Sequence, residues 1–284
     1  MINYEIKRIE LELTNSCNLK CPLCIRQTHP EFIGNIKYRE LNDIIEQLDS
    51  FKALKYVTLA GPASEPTLYP KLFELIKYLI SRDIEISLFI NGDTHDDMYY
   101  RKLGLLFNRA NGHIYFTVCG TTQELHSKYR VGSNLETVLK RYKIIETYSK
   151  KAMLNYIVFN YNEDDYKNNF YKFKLYKTEA FYTLPVNEHY NLNNDIHLPD
   201  RLVEEYQKID KNDKNDFNIC PAELCGFALI SVDGSINKCS LLKQFGTSHC
   251  FECSLNNSKI LKQNKIYRLA EPEDETSELD LHLN

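Results

Sequence analysis

Six short apolar segments, each followed by a stretch of helical periodicity, dominate the first two thirds of this 284-residue chain. The segments are residues 9–14, 56–61, 85–91, 114–120, 153–159 and 181–186. All are rich in Ile, Val, Leu, Phe or Tyr and bounded by Gly, Asn or Pro, which is the pattern of short strands. Between them, Leu41, Ile44, Ile45 and Leu48 fall at helix-face spacing, as do Leu72, Leu75, Ile76 and Leu79. Leu103 and Phe107, then Leu135, Val138, Leu139, Tyr142 and Ile145, repeat it, and a more polar helix is expected over 164–176. Asn134 reads as a helix N-cap. Alternating strands and helices imply a parallel sheet with right-handed crossovers. Six units are too few to close an eight-stranded barrel. The expected fold class is therefore α/β, an open (β/α)6 partial barrel with its chemistry at the C-terminal strand ends.

The remainder of the chain differs in character. Residues 187–218 are polar and read as a linker with one helix near 201–209. A compact Cys-rich segment follows, from Cys220 to Cys253, and the chain ends in an acidic stretch. The expected organisation is a partial-barrel domain over 1–200, a small Cys-rich hairpin-plus-helix domain over 201–265, and a frayed tail over 266–284.

A net charge of −4 gives no reason to expect nucleic acid as a partner. No run approaches the ~18 apolar residues of a membrane span, so no membrane is expected. The N-terminus alternates polar and apolar residues, without the apolar core of a signal peptide. The chain thus reads as cytoplasmic, where thiols stay reduced. Nine cysteines in such a compartment point to metal.

Three of those cysteines, Cys17, Cys21 and Cys24, stand at C-x3-C-x2-C directly after the first strand. Thiolates are the usual iron–sulfur ligands, and a cubane that only carries electrons takes four. Three in one short loop leave one iron open. Zinc is the competing reading, but a structural zinc site is closed by four ligands. The nearest further candidate, His29, is five residues beyond Cys24.

That loop, placed after strand one of a six-fold βα chain, resembles the radical S-adenosylmethionine (radical SAM) superfamily. The resemblance implies a [4Fe–4S] cluster whose open iron is chelated by S-adenosylmethionine, and a 5′-deoxyadenosyl radical that abstracts hydrogen from substrate. It places Leu23 near the adenine. The stretch AGPASEPTLYP resembles the family's Gly-Gly-Glu-Pro element, so Ala63, Ser64 and Glu65 would hold the S-adenosylmethionine amine, with Ala-Ser in place of Gly-Gly. FINGD resembles the family's Thr-Asn-Gly, which makes Asn91 a cofactor-side residue. FTVCGTTQELHSKYR resembles a Ser-x-Asp-Gly…His…Arg stretch, with Thr117 near the ribose or carboxylate and Arg130 pairing the carboxylate. Cys119 stands where an Asp is usual. It reads either as a small buried apolar residue or, by likeness to some epimerases of the superfamily, as a catalytic thiol donating hydrogen to a product radical.

Cys220 and Cys239 flank a hairpin pattern turning at Asp233-Gly234, and Cys250-x2-Cys253 follows. This resembles the auxiliary-cluster segment of SPASM and twitch domains. The shorter twitch form fits, since no cysteine follows Cys253. The ligand set it implies is Cys220, Cys239, Cys250 and Cys253, with Cys225 as the alternative to Cys220. A zinc ribbon is the competing reading of these residues alone. With the first cluster, the cofactors implied are S-adenosylmethionine and two [4Fe–4S] clusters, and the partner an electron donor such as flavodoxin or ferredoxin.

The expected function is hydrogen abstraction from a small polar metabolite, sugar- or aminocyclitol-like, followed by oxidation or epimerisation. The alternative is a maturase modifying a ribosomally made peptide. Against it stands the short stretch before the first strand, which leaves no room for the peptide-recognition domain such enzymes often carry. A non-enzymatic metal-binding module is the third reading.

Overall fold

The computed structural model describes residues 5–28, 30, 37–61, 63–169, 178–182, 196 and 227–237. Strands β1 (Arg8–Glu12), β2 (Tyr56–Ala60), β3 (Glu85–Ile90), β4 (Gly112–Val118), β5 (Ala152–Val158) and β6 (Thr178–Tyr182) form a continuous parallel sheet. The first five match the expected segments to within two residues at their starts; β6 shares Phe181 and Tyr182 with the last, and the rest of that segment lies outside the described residues. The helices are α1 (Ile25–Thr28), α2 (Leu41–Ser50), α3 (Leu72–Ser81), α4 (Asp97–Phe107), α5 (Gln123–Tyr129), α6 (Leu135–Ser149) and α7 (Glu163–Asn169). The one-turn α1 and the short α5 had no periodicity to announce them. Asn134 does cap α6, its Oδ1 accepting from Thr137 N at 2.8 Å. The expected helix near 201–209, the C-terminal part of the polar helix over 164–176 and the tail lie outside the described residues.

The two faces of the sheet differ. Ile9, Leu11, Val57, Leu59, Ile86 and Leu88 stand side by side in register and are almost wholly buried against the helices. This is the face that parallel strands must cover. The opposite face carries Glu10, Thr58, Ser87, Phe89 and Tyr115, all only partly buried. Period-two alternation therefore separates an apolar core from a concave, more polar interior. β4 can begin at Gly112 only because that residue has no side chain. Its φ is +119°, and a Cβ there would sit 1.9 Å from the Ile86 carbonyl oxygen.

The hairpin read in the Cys-rich segment is present, but it is not set apart from the barrel. Strands β7 (Phe227–Ile230) and β8 (Ile236–Asn237) are antiparallel, and β7 also runs parallel to β1. The strand order is β6-β5-β4-β3-β2-β1-β7-β8, an eight-stranded sheet where six strands were expected. Ala228, Leu229 and Ile230 are fully buried, so β7 has the all-apolar character of an interior parallel strand. Without it β1 would be an open edge. The turn closes through Gly234 N donating to Ser231 O at 2.8 Å, with Gly234 at φ +82°. Gln47 Nε2 then ties the Gly234 carbonyl to α2 at 2.9 Å.

Candidate functional site

The cysteine loop leaves the C-terminal end of β1. Thr14 forms an isolated antiparallel bridge with Tyr38, and its hydroxyl donates to the Lys37 carbonyl at 2.8 Å. Cys17 and Cys24 are partly buried and Cys21 is buried; all three are free thiols. Cys21 packs with Leu19, Cys119, Tyr129, Ile157 and Phe159, and Cys17, Leu23 and Cys24 lie against the same apolar cluster. Burial pushes the Cys21 thiol up to about 11, with Arg130 opposing and the two neighbouring thiols adding to the rise. Burial also raises Cys24. Among the described residues, no three His, Cys, Asp or Glu side chains converge as a preformed single-ion site.

Stitching between loops places the other site residues around this one. Glu65 N donates to the Ser16 carbonyl at 2.9 Å, and Arg26 Nη1 reaches both the Asn15 carbonyl and, at 3.4 Å, that of Ala63. Asn91 Nδ2 donates to Cys17 Sγ at 3.3 Å and to Asn18 Oδ1 at 2.7 Å. Its Oδ1 accepts from Arg130 Nη2, and Arg130 Nη1 approaches Cys21 Sγ at 3.8 Å. Cys17, Cys21, Asn91 and Arg130 are thus brought into one network. Ala63 and Ser64 lie in the adjacent β2 loop, and Thr117 is nearly buried at the end of β4 beside Asn155. Cys220, Cys225, Cys239, Cys250 and Cys253 lie outside the described residues.

A family model described as the radical SAM superfamily matches residues 11–172, more than half of the chain. The chain belongs to the radical SAM superfamily. A mycofactocin maturase of Mycobacterium ulcerans is 32% identical over 81 residues, 28% of this chain and 21% of that protein. A probable GTP 3′,8-cyclase of Methanocaldococcus jannaschii is 24% identical over 163 residues, 57% of this chain and 53% of that protein. The chain therefore spans between about a fifth and about half of the length of these relatives, 21% and 53%. Among solved structures, Streptococcus suis SuiB bound to precursor peptide SuiA superimposes with a TM-score of 0.62 at 15% identity, covering 94% of this chain and 66% of that one. That likeness is one of fold.

Radical SAM membership implies S-adenosylmethionine and a [4Fe–4S] cluster, and the site has the donors to hold them. Three reduced thiols share one loop. Ser64 Oγ and Arg130 Nε are buried polar atoms without a hydrogen-bond partner among the described residues. Orphaned groups of this kind are costly unless a ligand meets them.

Glu65 was expected to hold the cofactor amine, yet its side chain points inward. It is 1% exposed, with Oε2 accepting from Asn91 N at 2.7 Å and Oε1 from the Thr67 amide and hydroxyl. Its carboxylate thus fixes the backbone that presents Asn91. Burial lifts its pKa from 4.5 to about 7, against the pull of the Thr67 and Asn91 hydrogen bonds and the Arg130 charge. The folded chain therefore retains a proton here that the unfolded chain releases. The stability this group contributes is full below about pH 4.5 and lost as pH rises through about 7. In Glu65→Gln that loss, up to about 3 kcal/mol, should disappear; denaturant unfolding of both proteins at acid and neutral pH measures it.

Cys119 is fully buried in the apolar cluster, and burial holds its thiol far above the ordinary range. The thiol meets the Ile157 backbone, and the Cys119 backbone is held as well. Cys119 N donates to His126 Nδ1 at 3.3 Å, and its carbonyl accepts from Asn162 Nδ2 at 2.9 Å. Burial, then Arg130, lower the His126 pKa to about 3, so the neutral ring accepts at Nδ1 and donates from Nε2 to Ser133 Oγ at 3.0 Å. Asn18 and Arg26 were given no role in the sequence, and His126 appeared there only as the His of the Ser-x-Asp-Gly…His…Arg resemblance. Their roles come from contacts made in the folded chain.

Proposed function

We propose that this radical SAM enzyme abstracts hydrogen from a peptide substrate and acts as a maturase. The observation that carries the reading is the 32% identity to a mycofactocin maturase. It favours the peptide over the sugar- or aminocyclitol-like metabolite expected from the sequence. The similarity to a GTP 3′,8-cyclase keeps a nucleotide as the second reading.

When bound, the cluster and S-adenosylmethionine supply the reductive radical chemistry of the family. The chain's own residues prepare for it. Cys17, Cys21 and Cys24 are the ligands, and Asn91 steadies Cys17 while Arg130 places positive charge beside Cys21. Ser64 Oγ and Arg130 Nε are the donors left for the cofactor's polar end. Leu23 and the apolar cluster beneath the loop exclude water. We further assign an auxiliary [4Fe–4S] cluster to Cys220 or Cys225 with Cys239, Cys250 and Cys253. In support, β7 and β8 lie between Cys225 and Cys239 and anchor that stretch beside β1, the strand that feeds the cysteine loop.

The test is anaerobic reconstitution followed by incubation with S-adenosylmethionine, reductant and short peptides encoded beside the gene. The expected result is about eight irons per chain, 5′-deoxyadenosine, and a peptide mass change. About four irons would remove the auxiliary cluster. Conversion of GTP with no peptide mass change would replace the peptide reading by the nucleotide one.

A further inference from the structure

The concave face of the sheet contains one arrangement that the cluster and cofactor residues leave unexplained. Phe89 of β3 and Tyr115 of β4 are direct register partners. Their rings lie parallel, 4.4 Å between centroids and 8° between planes. Both remain partly exposed.

The neighbours on either side are unlike. Beyond Tyr115 the register partner on β5 is Met153, a long side chain. Beyond Phe89 comes β2. Leu59 pairs with Leu88, so the next position along, Ala60, flanks Phe89. Neighbouring strands are ~4.8 Å apart, so a ring at position 60 would continue the stack, and the side chain there is only a partly exposed methyl group. Glu12, paired with Ala60 across β1, does not fill it: its carboxylate turns to the Ala63 amide, with Oε1 accepting at 3.4 Å. Thr58, Ala60 and Ser87 are the small residues of this face beside the aromatic pair.

The location also suits a substrate. Phe89 is two residues before Asn91, and Tyr115 two before Thr117. Two residues of strand advance ~7 Å, and alternation keeps Tyr115 and Thr117 on one face. The slot therefore lies one step inward from the residues assigned to the cofactor side.

We propose that Ala60 and Phe89 form a slot that seats an aromatic side chain of the peptide substrate, with Tyr115 backing the Phe89 ring. This rests on the peptide reading. A third ring would continue the stack, the geometry aromatic groups favour at such separations.

The chain contains no tryptophan, which makes the test direct. Fluorescence anisotropy of N-acetyltryptophanamide, excited where tyrosine does not absorb, reads the probe alone. With anaerobically reconstituted holoenzyme, binding is expected, with competition by N-acetyltyrosinamide and none by N-acetylleucinamide. Phe89→Leu removes the platform and Ala60→Met fills the slot; each should weaken probe binding about tenfold. Tyr115→Phe keeps the ring and should bind as the parent does. Thermal melts close to that of the parent exclude misfolding as the cause. Unchanged binding in both Phe89→Leu and Ala60→Met, or equal competition by N-acetylleucinamide, overturns the proposal. Guanosine competing far better than N-acetyltyrosinamide overturns it in favour of a nucleobase. A peptide mass change without slot-dependent binding sinks the slot and spares the peptide reading; slot-dependent binding without peptide modification does the reverse.

Discussion

Replacing Cys21 with alanine is expected to abolish 5′-deoxyadenosine formation and to lower bound iron by about four atoms per chain, while the chain stays folded. Cys21 is the most deeply placed of the three loop thiols, packed on Leu19, Tyr129 and Phe159. Its loss leaves a small space, and removing one buried heavy atom costs on the order of 1 kcal/mol. The loop is held independently of the thiol: Lys20 N donates to the Val131 carbonyl at 3.1 Å, and Glu65 N to that of Ser16. Cys119→Ala is the matched control. It removes a still more deeply buried thiol from the same apolar cluster, but one that lies outside the cysteine loop. Iron should be retained in that variant. Equal loss of iron from both would mean that packing, and not ligation, accounts for the effect. Iron analysis, the cluster's absorbance and a thermal melt on the three proteins separate the cases.

The contrast between those two cysteines shows what the sequence could and could not reveal. Spacing identified Cys17, Cys21 and Cys24, because three thiols within eight residues must share one loop whatever the rest of the chain does. It could not say which way a side chain at the end of a strand would face, so the sequence left Cys119 with two readings and no sign of its burial. Glu65 presents the same difficulty. Its place after β2 marked it for the cofactor, but its hydrogen bonds to Asn91 and Thr67 were not readable, because their closeness depends on where β3 lies. The strands themselves were legible because they are short, rich in β-branched and aromatic residues and alternate apolar and more polar positions. The hairpin's turn was legible for a local reason, the Asp233-Gly234 pair. Its docking on β1 was not, since pairing between residues about two hundred positions apart leaves no local mark. The slot at Ala60 belongs to this second kind: nothing in YVTLA suggests a missing third ring until β2 is laid beside Phe89.

Arg130→Met should slow 5′-deoxyadenosine formation by about a hundredfold while leaving iron content near that of the parent. Methionine keeps an apolar stem in a position only 8% exposed and removes the guanidinium. What is lost is a fork: Nη2 fixes the Asn91 carboxamide, Nη1 faces Cys21, and Nε is the orphaned donor available to the cofactor. With Oδ1 unpaired, the Asn91 amide is free to turn away from Cys17, and a buried carbonyl without a partner costs about 1–3 kcal/mol. Arg130→Lys decides between charge and shape. Lysine restores the charge but presents one point donor in place of a planar fork, so it should recover only a small part of the lost rate. Full recovery would reduce Arg130 to a source of positive charge and overturn the positioning role. The pairing with Asn91 has its own readout. If the two act as a unit, Asn91→Ala and Arg130→Met together should cost much less than the sum of their separate effects, a coupling of more than about 1 kcal/mol in a double-mutant cycle. Strictly additive losses would mean that the hydrogen bond between them does no work in the reaction.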